Sequence, residues 1–200
     1  AIPLIIGVAM SKEKLSKEAA IKFFVLSILS AALLIYGIAL LGSASGSFIL
    51  SDIVAVAQNA PTAQVLLALV FIFTGLAVEI AVVPFHIWMP DTYQGSYPPL
   101  ASILAASTKK AGFAIAFKIL LIALPFLIWF WSDLFLYFSI ITMTFGNLLA
   151  LRQPNLKRML AYSSIAHAGY IMMGLAASSE PAIAGSLLQI INHSILTGAL

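Results

Sequence analysis

The stretch PPLASILAASTKKAGFAIAFKILLIA, residues 98–123, decides how this chain folds. It is apolar or small throughout, except for Lys109, Lys110 and Lys118. A helix that crosses a bilayer needs about 20 such residues. At ~1.5 Å per residue, Lys109 lies roughly 16 Å from Pro98, near the middle of a hydrocarbon core about 30 Å thick. A lysine at that depth costs about 2.5–3.5 kcal/mol on insertion scales. Such residues face a bundle interior or a wet cavity, where they often carry ions or protons. The segment therefore points to charge movement inside a membrane.

Outward from this stretch, the same pattern repeats. Apolar segments run over roughly 1–10 (partial), 18–42, 61–85, 98–123, 132–151, 159–177 and 182–200, with short connections. They predict an all-α polytopic transmembrane bundle, a single domain over 1–200. The chain is 62% hydrophobic and 8% charged, with mean hydropathy +1.08; soluble domains carry about 25% charged residues. AIPLIIGVAM is only about half a crossing, and the chain stops inside IINHSILTGAL, so an internal piece of a longer polytopic protein is expected.

Charge orients the bundle. SKEKLSK at 11–17 carries Lys12, Lys14 and Lys17, and RQPNLKR at 152–158 carries Arg152, Lys157 and Arg158. The other loops hold Asp52, Asp91, Asp133 and Glu180 and no Lys or Arg. If each segment crosses once, both basic loops fall on one side, and the positive-inside rule makes that side cytoplasmic. The net charge of +3 forms no basic face interleaved with aromatics, so nucleic-acid binding has no support. With no cysteine, the chain can supply no disulfide, thiolate metal site or iron–sulfur ligand.

Local signals mark segment ends. Ser16 suits an N-cap, with Glu18 in the first turn, where the helix dipole favours an acid. Pro84 removes a backbone hydrogen bond and clashes with the preceding turn, which predicts a broken or kinked helix between Glu79 and Trp88. In transporters such breaks mark ion sites, because freed backbone groups line a cavity. Trp129, Phe130 and Trp131 read as interface anchors.

Three ordered motifs carry a resemblance: VPFHIWMPDTYQG (83–95), PPLASILAASTKKAGFA (98–114) and NLLALRQPNLKRMLAYSSIAHAGYIMMGLA (147–176). Together they resemble the antiporter-like membrane subunits of respiratory complex I, and the form PDTYQG points to the subunit N branch. The resemblance implies a fold of about fourteen helices built on two inverted five-helix repeats, of which this chain holds the middle part. In that family a lysine just before the VPFH-type motif, a lysine in the next helix and a glutamate on a preceding helix line a polar axis along the membrane. The second lysine matches Lys109; the glutamate is expected upstream of Ala1. The first lysine aligns with Glu79, in LAVEIAVVPFH, which reverses the charge at a central position.

Each candidate residue has a functional and a plainer reading. Lys109 reads as a proton carrier rather than an interfacial lysine, because its depth argues against snorkelling. Lys110 lies about 100° around the helix, and either extends the polar cluster or pairs with an acid on a neighbour. Glu79 is a proton carrier, a counter-charge to Lys109 or Lys110, or half of a permanent ion pair that fixes packing. His193 lies mid-segment and can relay protons near neutrality. His86 follows the proline break and either serves the same path or bonds the broken helix. His167, in AYSSIAHAGY with Ser163 and Ser164, is expected to serve helix packing and hydrogen bonding. Glu18, Lys22, Lys157 and Arg158 sit near segment ends and read as interfacial, Lys118 as a snorkelling or lateral-exit lysine, and Gly75, Gly112, Gly146 and Gly169 as helix-contact positions.

Together these readings predict a proton-translocating membrane subunit of a respiratory NADH:quinone oxidoreductase, with Lys109, Glu79, His193, Lys110 and His86 as the proton-transfer residues. The alternatives are a cation/proton antiporter or hydrogenase-associated subunit of the same superfamily, and a membrane scaffold that does not pump. No redox chemistry is expected in this chain, and no cofactor or metal; FMN, iron–sulfur clusters and quinone would belong to partner subunits. The expected surroundings are other membrane subunits of a complex I-like assembly and the lipid bilayer, in the plasma membrane of a prokaryote.

Overall fold

The computed structural model describes residues 14–59 and 63–199. The partial segment expected at 1–10 and Lys12 lie outside the described residues. Within them all regular structure is helical. Helices α1 (Lys14–Ser45), α2 (Leu50–Asn59), α3 (Ala63–Glu79), α4 (Trp88–Gly95), α5 (Pro98–Ile103), α6 (Lys109–Phe117), α7 (Ile128–Leu151), α8 (Leu156–Ala177) and α9 (Glu180–Ala199) follow in order. Two π-helical turns, Leu104–Thr108 and Lys118–Ala123, flank α6. Among the described residues, three stretches are long and apolar enough to cross a membrane: Lys14–Ser45, Pro98–Ile122 and Pro125–Leu151. Helices α8 and α9, of 22 and 20 residues, have the length but carry more polar side chains.

Small residues set the helix pairs. Lipid tails are as apolar as leucine, so helices in a bilayer associate by close packing rather than by hydrophobic expulsion. A Cβ on Gly37 would stand 2.6 Å from Ile72, and one on Gly75 would stand 2.7 Å from Leu34, so α1 and α3 lie in direct contact. There Ser30 Oγ donates to the Gly75 carbonyl at 2.9 Å. Gly146 and Gly169 do the same between α7 and α8, against Ala166 and Met143. Gly174 brings α8 onto α9 at Ser186, and Gly112 brings α6 against Ile80 and Glu79.

Between these pairs sits the predicted break. Helix α3 ends at Glu79, and Ala81 adopts φ 57°, a left-handed conformation that costs a non-glycine residue roughly 1–2 kcal/mol. Neighbours absorb the freed groups. Val82 N–H donates to Ala77 O at 2.9 Å, Val83 N–H to Thr142 Oγ1 at 3.2 Å, and Trp88 Nε1–H to Val78 O at 2.9 Å. Helix α4 then packs beneath the break against α1, with the Phe23 and Trp88 rings 5.0 Å apart.

Three local expectations change. Ser16 is no N-cap: it lies inside α1, 1% exposed, where its Cα would meet a Cβ on Gly95 at 3.1 Å. Residues 50–59, read as loop, form α2. The 98–123 segment is helical as expected, but two π turns interrupt its α-helix.

Candidate functional site

The first π turn positions the central lysine. A π turn bonds i to i+5 and widens the helix, a local irregularity found often at functional sites. Its carbonyls take second partners: Lys110 Nζ donates to Ala105 O, and Ser194 Oγ of α9 donates to Ala106 O at 3.1 Å. Lys109 opens α6 directly after the turn and is 2% exposed. Its ammonium is nevertheless solvated by protein. Lys109 Nζ donates to the Ser164 carbonyl at 2.9 Å, contacts Ser164 Oγ at 3.4 Å and lies 3.4 Å from Met89 Sδ. A carbonyl has two lone pairs, so this oxygen can accept a lysine in addition to a helix hydrogen bond.

From Ser164 the polar chain continues across the α8–α9 interface. His193 Nε2 is 3.1 Å from Ser164 Oγ, and His193 is 6% exposed. The His167 ring lies 4.6 Å from the His193 ring, and Gln189 Nε2 is 2.6 Å from His167 Nδ1. Lys109, Ser164, His193, His167 and Gln189 therefore form one run of polar side chains between α6, α8 and α9. This run ends at an open hollow of about 560 Å³ lined by Tyr170, Gly174, Ser186 and Gln189 among others.

The candidates of the sequence are thus partly brought together. Lys109 and His193 share Ser164. Lys110, one residue on, turns back to its own helix at Ala105 O. Glu79 is half-buried against Gly112, 3.4 Å from where its Cβ would stand, and forms no ion pair with Lys109 or Lys110 among the described residues. His86 sits in the turn after the break with a buried Nδ1 that has no partner among the described residues, its ring 6.4 Å from Tyr162. Sequence reasoning did not single out Ser164, Gln189 or Met89 as site residues; for His167 it expected packing and hydrogen bonding, and the bond to Gln189 is of that kind. Only the motif SSIAH, with His167 three residues after Ser164 and so on one face of a helix, hinted at the first.

A second polar cluster lies at the ends of α1, α4 and α8. Asp91 Oδ2 is 2.6 Å from Lys22 Nζ, and Asp91 Oδ1 is 2.5 Å from Arg158 Nη1. Glu18 Oε1 lies 2.7 Å from Lys22, and Arg158 donates to Gln94 Oε1 at 3.0 Å. Lys157 Nζ donates to Ser96 O at 2.9 Å. Burial pushes the Asp91 carboxyl up, but Lys22 and Arg158 outweigh it and hold the acid below its ordinary value. The interfacial residues read from sequence are therefore a clamp that ties the broken-helix end to both flanking helices.

The family model for the NADH:quinone oxidoreductase/Mrp antiporter transmembrane region matches residues 1–200. This chain belongs to that family. It is 39% identical over 184 residues to NADH-quinone oxidoreductase subunit N of Trichlorobacter lovleyi, covering 90% of this chain and 38% of the relative. It is 40% identical over 185 residues to F(420)H(2) dehydrogenase subunit N of Methanosarcina mazei, covering 90% of this chain and 37% of that one. Among solved structures, a chain of respiratory complex I from Thermus thermophilus superposes with TM-score 0.76 at 34% identity, covering 98% of this chain and 42% of that one. The chain thus spans less than half the length of these relatives. Family membership and the apolar helices mark a multi-pass membrane protein, similar in sequence to NADH-quinone oxidoreductase subunit N.

Proposed function

We propose that this chain is part of a proton-translocating membrane subunit of a complex I-like NADH:quinone oxidoreductase. The observation that carries the reading is Lys109, 2% exposed and held by Ser164 within reach of His193. A buried ammonium with a polar chain leading from it can load a proton and pass it on, whereas a lysine that only supports packing needs no such chain. Glu79, in place of the family's lysine, serves as a further proton-carrying group beside the helix break. Lys110 and His86 are auxiliary members of the path. Partner subunits supply the FMN, iron–sulfur clusters and quinone. The assembly resides in a prokaryotic plasma membrane, as the bacterial and archaeal sources of the relatives support, with the 152–158 loop in the cytoplasm.

The test is proton pumping per electron in the intact reconstituted complex carrying Lys109→Ala, with quinone reductase activity and an assembly check. A sharp fall in pumping and coupled activity in an assembled complex supports the reading. Normal values for both in an assembled complex overturn it in favour of a scaffold.

A further inference from the structure

We infer that the Ser164 hydroxyl is the proton-relay link between Lys109 and His193. The inference rests on the proton-carrying role proposed for Lys109 and adds to it an atom through which that lysine reaches a second titratable side chain. Ser164 is 1% exposed and lies on α8, so neither neighbour reaches it through its own helix. Lys109 Nζ, from α6, stands 3.4 Å from its Oγ, and His193 Nε2, from α9, stands 3.1 Å from the same atom.

The donor and acceptor inventory decides what this atom does. A serine hydroxyl has one proton to donate and two lone pairs to accept with. A charged Lys109 can only donate, so Ser164 Oγ accepts from it, and with His193 in the tautomer that carries its proton on Nδ1 the hydroxyl proton points at Nε2. Transfer then balances without a further reactant. The Lys109 Nζ–H bond breaks as a proton joins Ser164 Oγ, and the former hydroxyl proton leaves Oγ for His193 Nε2. This produces neutral lysine, an intact serine and a histidinium. The hydroxyl now points at the lysine nitrogen and must rotate before the next transfer. Lys109 does not depend on this hydroxyl for its position, because its shorter bond, 2.9 Å, goes to the Ser164 main-chain carbonyl.

That separation makes the inference testable. Ser164→Ala removes the relay oxygen and leaves the carbonyl anchor in place; Ser164→Thr restores a hydroxyl. Both variants, with Lys109→Ala alongside, are measured in the intact reconstituted complex for assembly, reductase activity and protons pumped per electron. The expected result is an assembled Ser164→Ala complex whose pumping rate falls by about tenfold or more, as expected when a positioned proton-transfer group is lost, with recovery in Ser164→Thr. Wild-type pumping in Ser164→Ala, while Lys109→Ala fails, overturns the relay and leaves the lysine reading intact. Equal loss in assembled Ser164→Ala and Ser164→Thr also overturns it, since the hydroxyl then makes no difference. If the threonine does not assemble, a solvent deuterium isotope effect on pumping that is larger in the wild type than in Ser164→Ala supports the relay, and equal effects overturn it. Normal pumping in Lys109→Ala overturns the lysine reading itself and the relay with it.

Discussion

Adding one methyl group at Gly146 should damage the proposed proton path by way of Ala166, the residue nearest to the added carbon. A Cβ built there stands 2.5 Å from Ala166 N, 2.8 Å from Ala166 Cα and 2.9 Å from Ala166 Cβ. Carbon contacts settle at about 3.5–4.0 Å, so α7 and α8 must part by about 1 Å. None of the three atoms can rotate away, because two are main chain and the third is fixed to it. Overpacking of this kind costs about 1–3 kcal/mol, set against up to ~1 kcal/mol that alanine gains over glycine in helix propensity. Ala166 lies two residues after Ser164 on the same rigid helix, so the shift also moves Ser164 relative to Lys109. The 3.4 Å contact between Lys109 Nζ and Ser164 Oγ is already long, and a further displacement of about 1 Å takes it out of hydrogen-bonding range. Gly185→Ala is the control, since a Cβ there meets nothing within 4 Å among the described residues. The assay is thermal loss of the assembled complex on native gels, together with protons pumped per electron. Gly146→Ala should lower both relative to Gly185→Ala. A Gly146→Ala complex that matches the control in both measurements would refute the close-packing argument.

Two further outcomes follow from the charged groups. Asp91→Asn removes the acid between Lys22 and Arg158 and should lower thermal stability by about 1–2 kcal/mol at pH 7, a figure discounted because the pair is partly exposed. The carboxyl is held below its ordinary value, so its contribution is fully present above the unfolded pKa near ~3.9 and disappears as the pH falls through the lower folded value. Melting temperatures of wild type and Asp91→Asn should therefore differ by a constant amount across pH 6–8; a difference that titrates within that range contradicts the assignment. Glu79→Gln should leave the complex assembled, because no ion pair to Lys109 or Lys110 is broken among the described residues. Disassembly on a native gel would show that the acid holds a partner elsewhere in the complex.

What was legible in the sequence was local or repetitive. Hydropathy pointed to apolar crossings, and among the described residues three helices are long and apolar enough to span, because a bilayer imposes a length and an apolar surface on every crossing. Pro84 announced the break after Glu79, because a missing N–H acts within its own turn. The burial of Lys109 agrees with its place in the middle of an apolar stretch, and the helix-contact role of Gly75, Gly112, Gly146 and Gly169 followed from their size. The partners of Lys109 did not follow from any of this. Ser164 stands 55 residues away and His193 lies a further 29 beyond it, so their meeting depends on how α6, α8 and α9 cross. The same holds for His167, whose bond to Gln189 reaches across a helix interface and leaves no trace in local spacing. The π turn before Lys109 was also invisible, since its carbonyls are held partly by Ser194 from another helix. The sequence by itself determined that a charged side chain must sit inside a membrane bundle, because composition and periodicity are properties of short stretches. Only the tertiary structure decided which neutral group solvates that charge and which titratable group stands next in line, because hydrogen bonds form over about 3 Å while chain separation carries no such distance.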